Sequence, residues 1–371
     1  MKKFVFMSHS LLGGGAEHVT VTIIRLLRKR SAGCEIHLVV IDRAKDLIRL
    51  VPPEVIVHEL EIPKTCLALF RMVSALREIA PDCIFTSEHP LIPLLTVSAF
   101  FCRKKPELVF RYSTTPNGSK KTLRFRAMKY SLAHADALIA QTEEMKQALI
   151  DYYGLSRTKV TALFNPVDTD RLEECVKDAS SPFDGSFYNL LCCGTLYQVK
   201  GQDIAIKALR SLLDRVPGMK VRLYLVGKNH WGYQEHLQEL CNELGVKDNV
   251  IFVPYTDNPF AYIRFCDALV LASRREGLPN VLLEALYFRR KIVATDCVPV
   301  ISQLVTKYDS GIVVPPEDPA AMSKALEHVL LHGDDFHAYG MLFEQYNREM
   351  TDYLLSHVAA DSTVPENRPS A

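Results

Sequence analysis

Two glutamates flank a Gly-Pro turn in residues 273–286, SRREGLPNVLLEAL. Glu276 lies in the loop after an apolar run, 268–272, that predicts a buried strand. Glu284 lies about a turn and a half into a helix that we expect to begin at Pro279. Because this spacing separates the two carboxylates, they suit two sets of hydroxyl groups, such as those of a sugar and a ribose, better than one metal ion. The alternative is that both are solvated charges around an ordinary strand-to-helix connection.

Three further features near predicted helix starts suit a phosphate group. The N-terminus of the helix at Pro279 offers amide groups and a positive dipole end to an anion. Lys200 carries an ammonium group near a second helix start, although a plain surface lysine is the alternative. Gly14 and Gly15 form a turn with little steric bulk, which suits a phosphate but is also common where glycines serve packing alone. This turn is not the G-x-G-x-x-G of dinucleotide domains, which disfavours NAD binding.

Segment 273–285 resembles the donor-site signature of the family 4 glycosyltransferases, which are retaining nucleotide-sugar enzymes of the GT-B architecture. Its PNV sequence is similar to that of bacterial members that build lipid-linked surface polysaccharides. The resemblance implies that Lys200 and Glu276 are catalytic, that Glu276 binds hydroxyls of the donor sugar, and that Glu284 binds those of the ribose. The donor-binding residues that it implies are Gly14, Gly15, Thr195, Lys200, Gly227, Glu276, Gly277, Leu278, Pro279, Asn280, Val281 and Glu284.

Other positions match the family less completely. Glu17 ends a Gly-Gly-Ala-Glu turn similar to the one that the family places opposite the donor diphosphate, and we assign it to the acceptor side. Arg111 resembles by position a residue of the acceptor-side loop, where we expect it to contact a phosphate; a surface ion pair is the alternative. Thr195 stands where the family usually has arginine, and Val300 and Gln303 stand where close relatives have glycine and glutamate.

Strand and helix patterns alternate along the whole chain. The apolar runs predict strands at 3–7, 35–41, 55–59, 83–86, 108–112, 137–140 and 160–164, then at 189–193, 220–226, 249–253, 268–271, 291–295 and 311–314. Helical periodicity separates several of them, as in 17–30 and 67–79. The fold class is therefore α/β, with two doubly wound, Rossmann-like domains. The GT-B resemblance implies that they face across a cleft and that a C-terminal helix crosses back to the first domain.

Breaks in the pattern predict the domain limits. Asn165-Pro166 interrupts regular structure and resembles the family's Asn-Pro-Val-Asp hinge. We expect an acceptor-binding domain at 1–168, a linker at 169–188, and a nucleotide-sugar domain at 189–335. A crossover helix at 336–358 and a disordered tail at 359–371 would follow.

Charge is distributed unevenly along the 371 residues. Residues 1–165 hold 24 Lys and Arg against 15 Asp and Glu, a balance of +9, and residues 166–371 hold 20 against 28, a balance of −8. Much of the excess lies in Arg103, Lys104, Lys105, Lys120, Lys121, Arg124, Arg126 and Lys129. Such a cluster suits an anionic membrane surface, although a solvated face is the alternative. Nucleic acid is not expected, because stacking aromatics are not interleaved with these charges.

Composition indicates a reduced, cytoplasmic protein. The ten cysteines are scattered without C-x-x-C spacing, and no apolar run is long enough to cross a bilayer. The first residues form too short an apolar block for a signal peptide. The histidines show no close metal-ligand spacing, so we expect neither a metal nor another cofactor. We expect a peripheral location at the inner face of the cytoplasmic membrane.

The resemblance implies transfer of a hexosyl or N-acetylhexosaminyl group, with retention, from a UDP-sugar to a lipid-linked glycan or another surface-polysaccharide precursor. Lys200, the helix start at Pro279 and the Gly14-Gly15 turn would stabilise the diphosphate leaving group. No protein nucleophile is assigned, because the family is thought to use front-face attack assisted by the leaving phosphate. Two alternatives stay open: a catalytically degenerate relative that acts as a partner subunit of another transferase, suggested by Thr195, Val300 and Gln303, and a GT-B epimerase or phosphorylase.

Overall fold

The computed structural model of this chain describes residues 1–31, 33–42, 46–62, 69–116, 118–256, 258–333 and 336–358. The chain folds into two compact units. Unit 1 contains Met1–Pro166 and the residues from Glu344 on, and unit 2 contains Val167–Phe343. The predicted domain boundary at 168 lies two residues after the division at Pro166, and the predicted tail lies outside the described residues.

Unit 1 is built on a seven-stranded parallel sheet. In chain order its strands are β1 (Lys2–Ser8), β2 (Cys34–Val40), β3 (Ile56–Glu59), β4 (Cys83–Thr86), β5 (Glu107–Tyr112), β6 (Ala137–Ala140) and β7 (Val160–Ala162). They are arranged in the order β3-β2-β1-β4-β5-β6-β7. The strand order reverses between β1 and β4, and in such sheets ligands bind outside the carboxyl ends of the strands at this switch point.

The helices of unit 1 cover both faces of this sheet. They are α1 (Gly15–Arg30), α2 (Leu69–Ile79), α3 (Leu91–Ala99), α4 (Leu123–His134) and α5 (Glu143–Tyr153). One buried cluster joins Leu95 and Leu132 to one face, and another joins Ile23 of α1 and Met350 of the last helix to the other. Burial on both faces explains why the strands are nearly continuous apolar runs.

Unit 2 has a six-stranded parallel sheet with the same kind of reversal. Its strands are β8 (Tyr188–Cys193), β9 (Val221–Val226), β10 (Val250–Val253), β11 (Ala268–Leu271), β12 (Lys291–Thr295) and β13 (Gly311–Val314), arranged β10-β9-β8-β11-β12-β13. The switch point therefore lies between β8 and β11. Its helices are α6 (Thr169–Val176), α7 (Gln202–Arg215), α8 (Tyr233–Glu243), α9 (Phe260–Phe265), α10 (Asn280–Tyr287), α11 (Pro299–Lys307) and α12 (Pro319–Leu331).

The final helix, α13 (Glu344–Ser356), returns the chain to unit 1. Its Asp352 pairs with Arg30 of α1 at 2.8 Å, and His357 Nδ1 lies 2.7 Å from Glu107. Leu354 is fully buried in the unit 1 core. Apolar packing therefore holds α13 in this unit, and the exposed ion pairs add little.

The α/β fold class with two Rossmann-like sheets is confirmed, and the predicted strand ends agree with the structure to within two residues. One local difference concerns helix α10. It begins at Asn280, and Pro279 is its N-cap in extended conformation, because φ of −71° and ψ of 121° place this residue outside the helix. A second difference lies in the predicted linker, whose first eight residues form α6, capped by the Asp168 carboxylate on the Arg171 amide at 3.3 Å.

Among the described residues, none of the helices combines the length and the apolar character needed to cross a membrane.

Candidate functional site

Lys200 and Glu276, which are 76 positions apart in sequence, form an ion pair at the switch point of unit 2. Lys200 Nζ lies 2.7 Å from Glu276 Oε1, which also accepts a hydrogen bond from Ser273 Oγ at 2.6 Å. The Glu276 side chain is 8% exposed, whereas that of Lys200 is 36% exposed. The carboxylate is thus held in place from two sides, while the ammonium group keeps access to solvent.

Arg274, two residues before Glu276, fastens the loop after β11 to its neighbours. Its guanidinium binds Asp203 of α7 through two hydrogen bonds of 2.8 Å and also pairs with Glu317, which follows β13. Hydrogen bonds with Asp203 raise the pKa of Arg274, so its charge is permanent. The same guanidinium donates to the Gln198 carbonyl, and the Arg274 amide donates to the Val199 carbonyl at 2.8 Å. Three loops are therefore tied together beside the Lys200–Glu276 pair.

Glycines allow these loops to approach each other. Gly201, with φ of +66°, lies so close to Ala272 that a Cβ on it would be 1.9 Å from the Ala272 carbonyl oxygen. Gly227 lies equally close to Gly194, where a Cβ would be 2.0 Å from the carbonyl oxygen. A side chain at either position would push the backbones apart. The predicted donor residue Gly227 thus has a packing role that its position in the sequence did not indicate.

Glu284 lies inside unit 2, one and a half turns into α10 as expected. Burial raises the pKa of its carboxyl group to about 7, against a weaker opposing effect of the positive charge on Arg171. Its negative charge in turn contributes to the raised pKa of the Cys193 thiol at the end of β8. The structure therefore places Glu284 next to the β8 end of the switch point, and a half-buried carboxylate there titrates near neutral pH.

The remaining donor-loop positions surround the start of α10. Leu278 and Pro279 are buried, whereas Gly277, Asn280 and Val281 are half-buried. Thr195 is exposed, and its carbonyl accepts a hydrogen bond from Gln202 Nε2 at 3.0 Å. These residues come together with Lys200 and Glu276 at one edge of one sheet, as the sequence predicts for residues that follow β8 and β11.

In unit 1, the Glu17 carboxylate folds back onto its own glycine-rich turn. Glu17 Oε2 accepts from the amides of Gly13 and Gly14 at 2.7 and 2.9 Å, and Oε1 accepts from Ser10 Oγ at 2.7 Å. These bonds close the loop at the N-terminus of α1. Glu17 therefore has a structural role in this turn, and its contact with an acceptor stays a prediction, as does phosphate binding by Gly14 and Gly15.

Arg111 is buried with 1% exposure, so the expected alternative of a surface ion pair is wrong. Its guanidinium donates to Asn165 Oδ1, which Gln141 Nε2 also contacts at 3.1 Å. Within the described residues, Nε and Nη1 of Arg111 and Oε1 of Gln141 are buried without a hydrogen-bond partner. Burial lowers the pKa of Arg111 to about 9. Contact between this cation and a phosphate stays a prediction.

Asp168 and Asp170 have the Asp-x-Asp spacing of many metal sites. Asp168 instead caps helix α6. Across the part of the chain that the structure describes, no group of three His, Cys, Asp or Glu side chains is placed to hold a metal ion.

All eight basic residues of the predicted membrane surface are exposed. Large apolar side chains that sequence reasoning missed are exposed next to them in sequence: Phe100 and Phe101 follow α3 and are 65% and 55% exposed, and Leu123 begins α4 and is 81% exposed. Helices α3 and α4 belong to the same buried cluster. We call the eight basic residues together with Phe100, Phe101 and Leu123 the basic–apolar surface.

Comparisons with known proteins agree with this geometry. A family model described as Glycosyltransferase Family 4 matches residues 13–171, and one described as Glycosyl transferases group 1 matches residues 188–332. An uncharacterized glycosyltransferase of Methanocaldococcus jannaschii is 25% identical over 245 residues, which cover 62% of this chain but only 59% of that protein.

A longer match is with a Campylobacter jejuni enzyme, the N-acetylgalactosamine-N,N'-diacetylbacillosaminyl-diphospho-undecaprenol 4-alpha-N-acetylgalactosaminyltransferase. It is 25% identical over 350 residues, covering 89% of this chain and 90% of the enzyme. Among solved structures, Anabaena HepE in complex with UDP-glucose has a TM-score of 0.75 at 18% identity, covering 96% of this chain and 100% of HepE.

The three-loop junction predicts that Arg274 positions the Lys200–Glu276 pair. Arg274→Gln should lower UDP affinity about tenfold or more in calorimetry, because it leaves the Asp203 carboxylate without its bidentate partner and frees the loop. Arg274→Lys should recover only part of the loss, since an ammonium group cannot make the forked contact.

Arg210→Gln is the matched control, because Arg210 forms an exposed pair with Asp214 on α7. Exposed pairs contribute about 0–1 kcal/mol, so this variant should bind UDP as the parent does. Equal UDP affinity of Arg274→Gln and the parent would refute the positioning role.

Proposed function

This chain belongs to the family 4 glycosyltransferases and has the GT-B fold, and on that premise we propose that it transfers a sugar from a UDP-sugar to a lipid-linked glycan. The observation that carries the proposal is the Lys200–Glu276 pair at the switch point of unit 2, beside the N-terminus of α10. A cation, a helix N-terminus and a fixed carboxylate are the groups that a sugar diphosphate needs.

The proposed roles of Lys200, Glu276 and Glu284 follow from the charge of each side chain. Departure of the nucleotide places negative charge on the diphosphate, and the solvent-accessible ammonium group of Lys200 stabilises it together with the α10 N-terminus. As Lys200 turns to the phosphate, the Glu276 carboxylate becomes available to hydroxyls of the donor sugar, while Ser273 keeps it oriented. Glu284, half-buried next to the end of β8, binds the ribose hydroxyls. Retention of configuration and independence of metal ions belong to the same proposal.

The base and sugar are proposed from the relatives. HepE is known in complex with UDP-glucose, and the Campylobacter enzyme is named for transfer of N-acetylgalactosamine to a diphospho-undecaprenol glycan. We therefore expect a UDP-hexose or UDP-N-acetylhexosamine as donor. The competing possibility is a degenerate subunit of another transferase, suggested by Thr195, Val300 and Gln303. The presence of Lys200, Glu276 and Glu284 near the switch point of unit 2 favours an active transferase over a degenerate subunit.

Glu284 predicts a pH dependence of donor binding. Its raised pKa of about 7 means that the carboxylate becomes ionised as pH rises through neutrality, and an ionised carboxylate accepts hydroxyl hydrogen bonds more strongly. Affinity for UDP-N-acetylgalactosamine, measured by calorimetry, should therefore rise between pH 6 and pH 8. Glu284→Gln should weaken binding and remove this rise.

Calorimetry with UDP, GDP and ADP at pH 8 provides the reference for that experiment. Selective binding of UDP would support a working donor site despite Thr195. If none of the three nucleotides bound, the degenerate-subunit alternative would replace the enzyme. If donor affinity still rose with pH in Glu284→Gln, the proposed contact between Glu284 and the ribose would be wrong.

Lys200→Ala should lower the rate of UDP release from UDP-N-acetylgalactosamine by about 100-fold to 1,000-fold, because one charge-stabilising group is lost from the transition state. Lys247→Ala, which removes an exposed lysine of the same unit, is the control and should leave the rate unchanged. Turnover can be followed as free UDP, with thermal melting to verify folding. A rate within twofold of the parent would exclude Lys200 from leaving-group stabilisation.

A lipid-linked acceptor places the enzyme at a membrane, and the basic–apolar surface fits that location. Its eight cations attract anionic lipid headgroups, and Phe100, Phe101 and Leu123 offer apolar area to the interface. We propose a peripheral location at the inner face of the cytoplasmic membrane.

Neutralising part of this surface should weaken vesicle binding. The triple variant Lys121→Gln, Arg124→Gln, Arg126→Gln should bind anionic phosphatidylglycerol vesicles on the order of 100-fold less well at low salt, since each basic residue near the surface contributes about 1 kcal/mol. Sedimentation with vesicles measures the bound fraction. The control, Lys177→Gln, Lys220→Gln, Lys247→Gln, removes three exposed lysines from unit 2 and should bind like the parent. Equal weakening by both triples would show that net charge, and not this surface, determines binding.

A further inference from the structure

A second polar cluster lies at the switch point of unit 1, where β1 and β4 end side by side. Glu88, two residues after β4, accepts hydrogen bonds from Ser8 Oγ at the end of β1 and from the His9 amide at 3.0 and 3.1 Å. The Glu88 amide donates to Thr86 Oγ1 at 3.1 Å, and that hydroxyl donates to the Met7 carbonyl at 3.0 Å. The carboxylate is therefore fixed in orientation at this edge of the sheet.

The position of Glu88 matches that of Glu276 in unit 2. Strand β4 pairs with β1 as β11 pairs with β8, and each of these pairs is where its sheet reverses. Each glutamate follows the second strand of its pair within five residues and is held by a serine hydroxyl. Glu276 has a cation as its next partner, whereas Glu88 has a backbone amide. A site built like that of Glu88 suits a neutral polyhydroxyl ligand better than a diphosphate.

His89, the next residue, is a neutral hydrogen-bond donor. Its Nε2 accepts from the Ser113 amide at 3.2 Å, and its ring stacks on Tyr112 with centroids 3.9 Å apart. Burial, and then the positive charges of Arg111 and Arg124, lower the pKa of His89 to about 4. A neutral imidazole whose Nε2 accepts must carry its hydrogen on Nδ1. Within the described residues this Nδ1–H has no hydrogen-bond partner.

The charges around Glu88 leave its carboxyl group close to half ionised at neutral pH. Burial raises the pKa of Glu88 to about 7, the hydrogen bonds from Ser8 and His9 oppose this rise, and the negative charge of Glu17 on α1 adds to it. The other ionisable groups at this edge include Asp42 after β2, His9 after β1, the neutral His89 after β4, and the buried Arg111 and Tyr112 of β5.

We propose that unit 1 carries a sugar-binding subsite at the carboxyl ends of β1 and β4, in which the Glu88 carboxylate accepts, and the Nδ1–H of His89 donates, hydrogen bonds to hydroxyl groups of the acceptor sugar. A carboxylate has about four lone-pair positions, and Ser8 and His9 occupy three, so one remains for a ligand. That the bound sugar is the acceptor substrate rests on the proposed transferase function. In this proposal Glu88 touches the acceptor substrate directly.

The test compares Glu88→Gln with the parent in transfer from UDP-N-acetylgalactosamine to a synthetic polyprenyl-diphosphate-linked N-acetylgalactosamine. Glutamine keeps an oxygen for Ser8 and His9 but loses the charge, so folding is preserved and only the strength of the acceptor contact falls. The acceptor KM should rise about tenfold or more, while the donor KM and donor hydrolysis without acceptor stay unchanged. Glu78→Gln, which neutralises an exposed glutamate on α2, should leave every constant unchanged.

A pH profile of the unmodified enzyme provides a second measurement that needs no variant. The KM for the acceptor substrate should rise as pH falls from 8 to 6, because protonation of Glu88 removes the carboxylate that accepts hydrogen bonds from the sugar. This rise should vanish in Glu88→Gln. If another group caused the rise, the variant would retain it.

An unchanged acceptor KM in Glu88→Gln, or equal effects on donor and acceptor, would overturn the subsite while leaving the transferase function intact. A parent protein that neither binds UDP nor transfers sugar would instead refute the proposed function, and the acceptor subsite with it.

Discussion

The proposed donor site of unit 2 depends on the close approach of Gly201 to the Ala272 carbonyl. A side chain at Gly201 would place a carbon 1.9 Å from that oxygen, so only glycine lets the loop before α7 lie against the end of β11. This approach brings Lys200, the residue before the glycine, next to Glu276, which follows β11. It also lets the Arg274 amide reach the Val199 carbonyl at 2.8 Å. Two neighbouring parallel strands at a switch point leave their loops side by side. The backbone contact between these two loops then places Lys200 within reach of Glu276.

Three glutamates show how the surroundings of a carboxylate decide what it can do. Glu276 has an ammonium group and a hydroxyl as partners, so its charge is compensated where it lies. Within the residues that the structure describes, no cation is hydrogen-bonded to Glu284 or Glu88, and burial raises the pKa of each to about 7. Desolvation of this size costs folding free energy when the group is ionised. Because these two pKa values are raised from 4.5 to about 7, the cost is absent at pH values well below 4.5, grows as pH rises towards 7, and is constant at higher pH. Strongly perturbed carboxyl groups are common at functional sites, which is why both proposals give these two glutamates a role.

Local patterns were enough to predict the strands and most helices. Strand β11 and strand β12 agree residue for residue with their apolar runs, since burial on both faces leaves no other pattern. The grouping of Lys200 with the 273–286 loop was also predictable, because both follow neighbouring strands. The Arg274–Asp203 contact was not, since it joins residues 71 positions apart and has no local signal. For Arg111 a surface ion pair was the alternative to a phosphate contact, because arginine is rarely buried, and only the fold reveals that it is enclosed.

The same reasoning explains why Phe100 and Phe101 were missed. In sequence they continue the apolar stretch of α3, which predicts burial, but α3 ends at Ala99 and both rings lie outside the helix. Leu123 is the first residue of α4, where the helix has not yet reached the core. These side chains are exposed because they lie at helix ends that stop short of the packed interior. Basic residues stand beside them in sequence, after α3 and around the start of α4. Exposed apolar side chains thus have basic neighbours in sequence at both helix ends, and this combination is what the proposed contact with an anionic bilayer rests on.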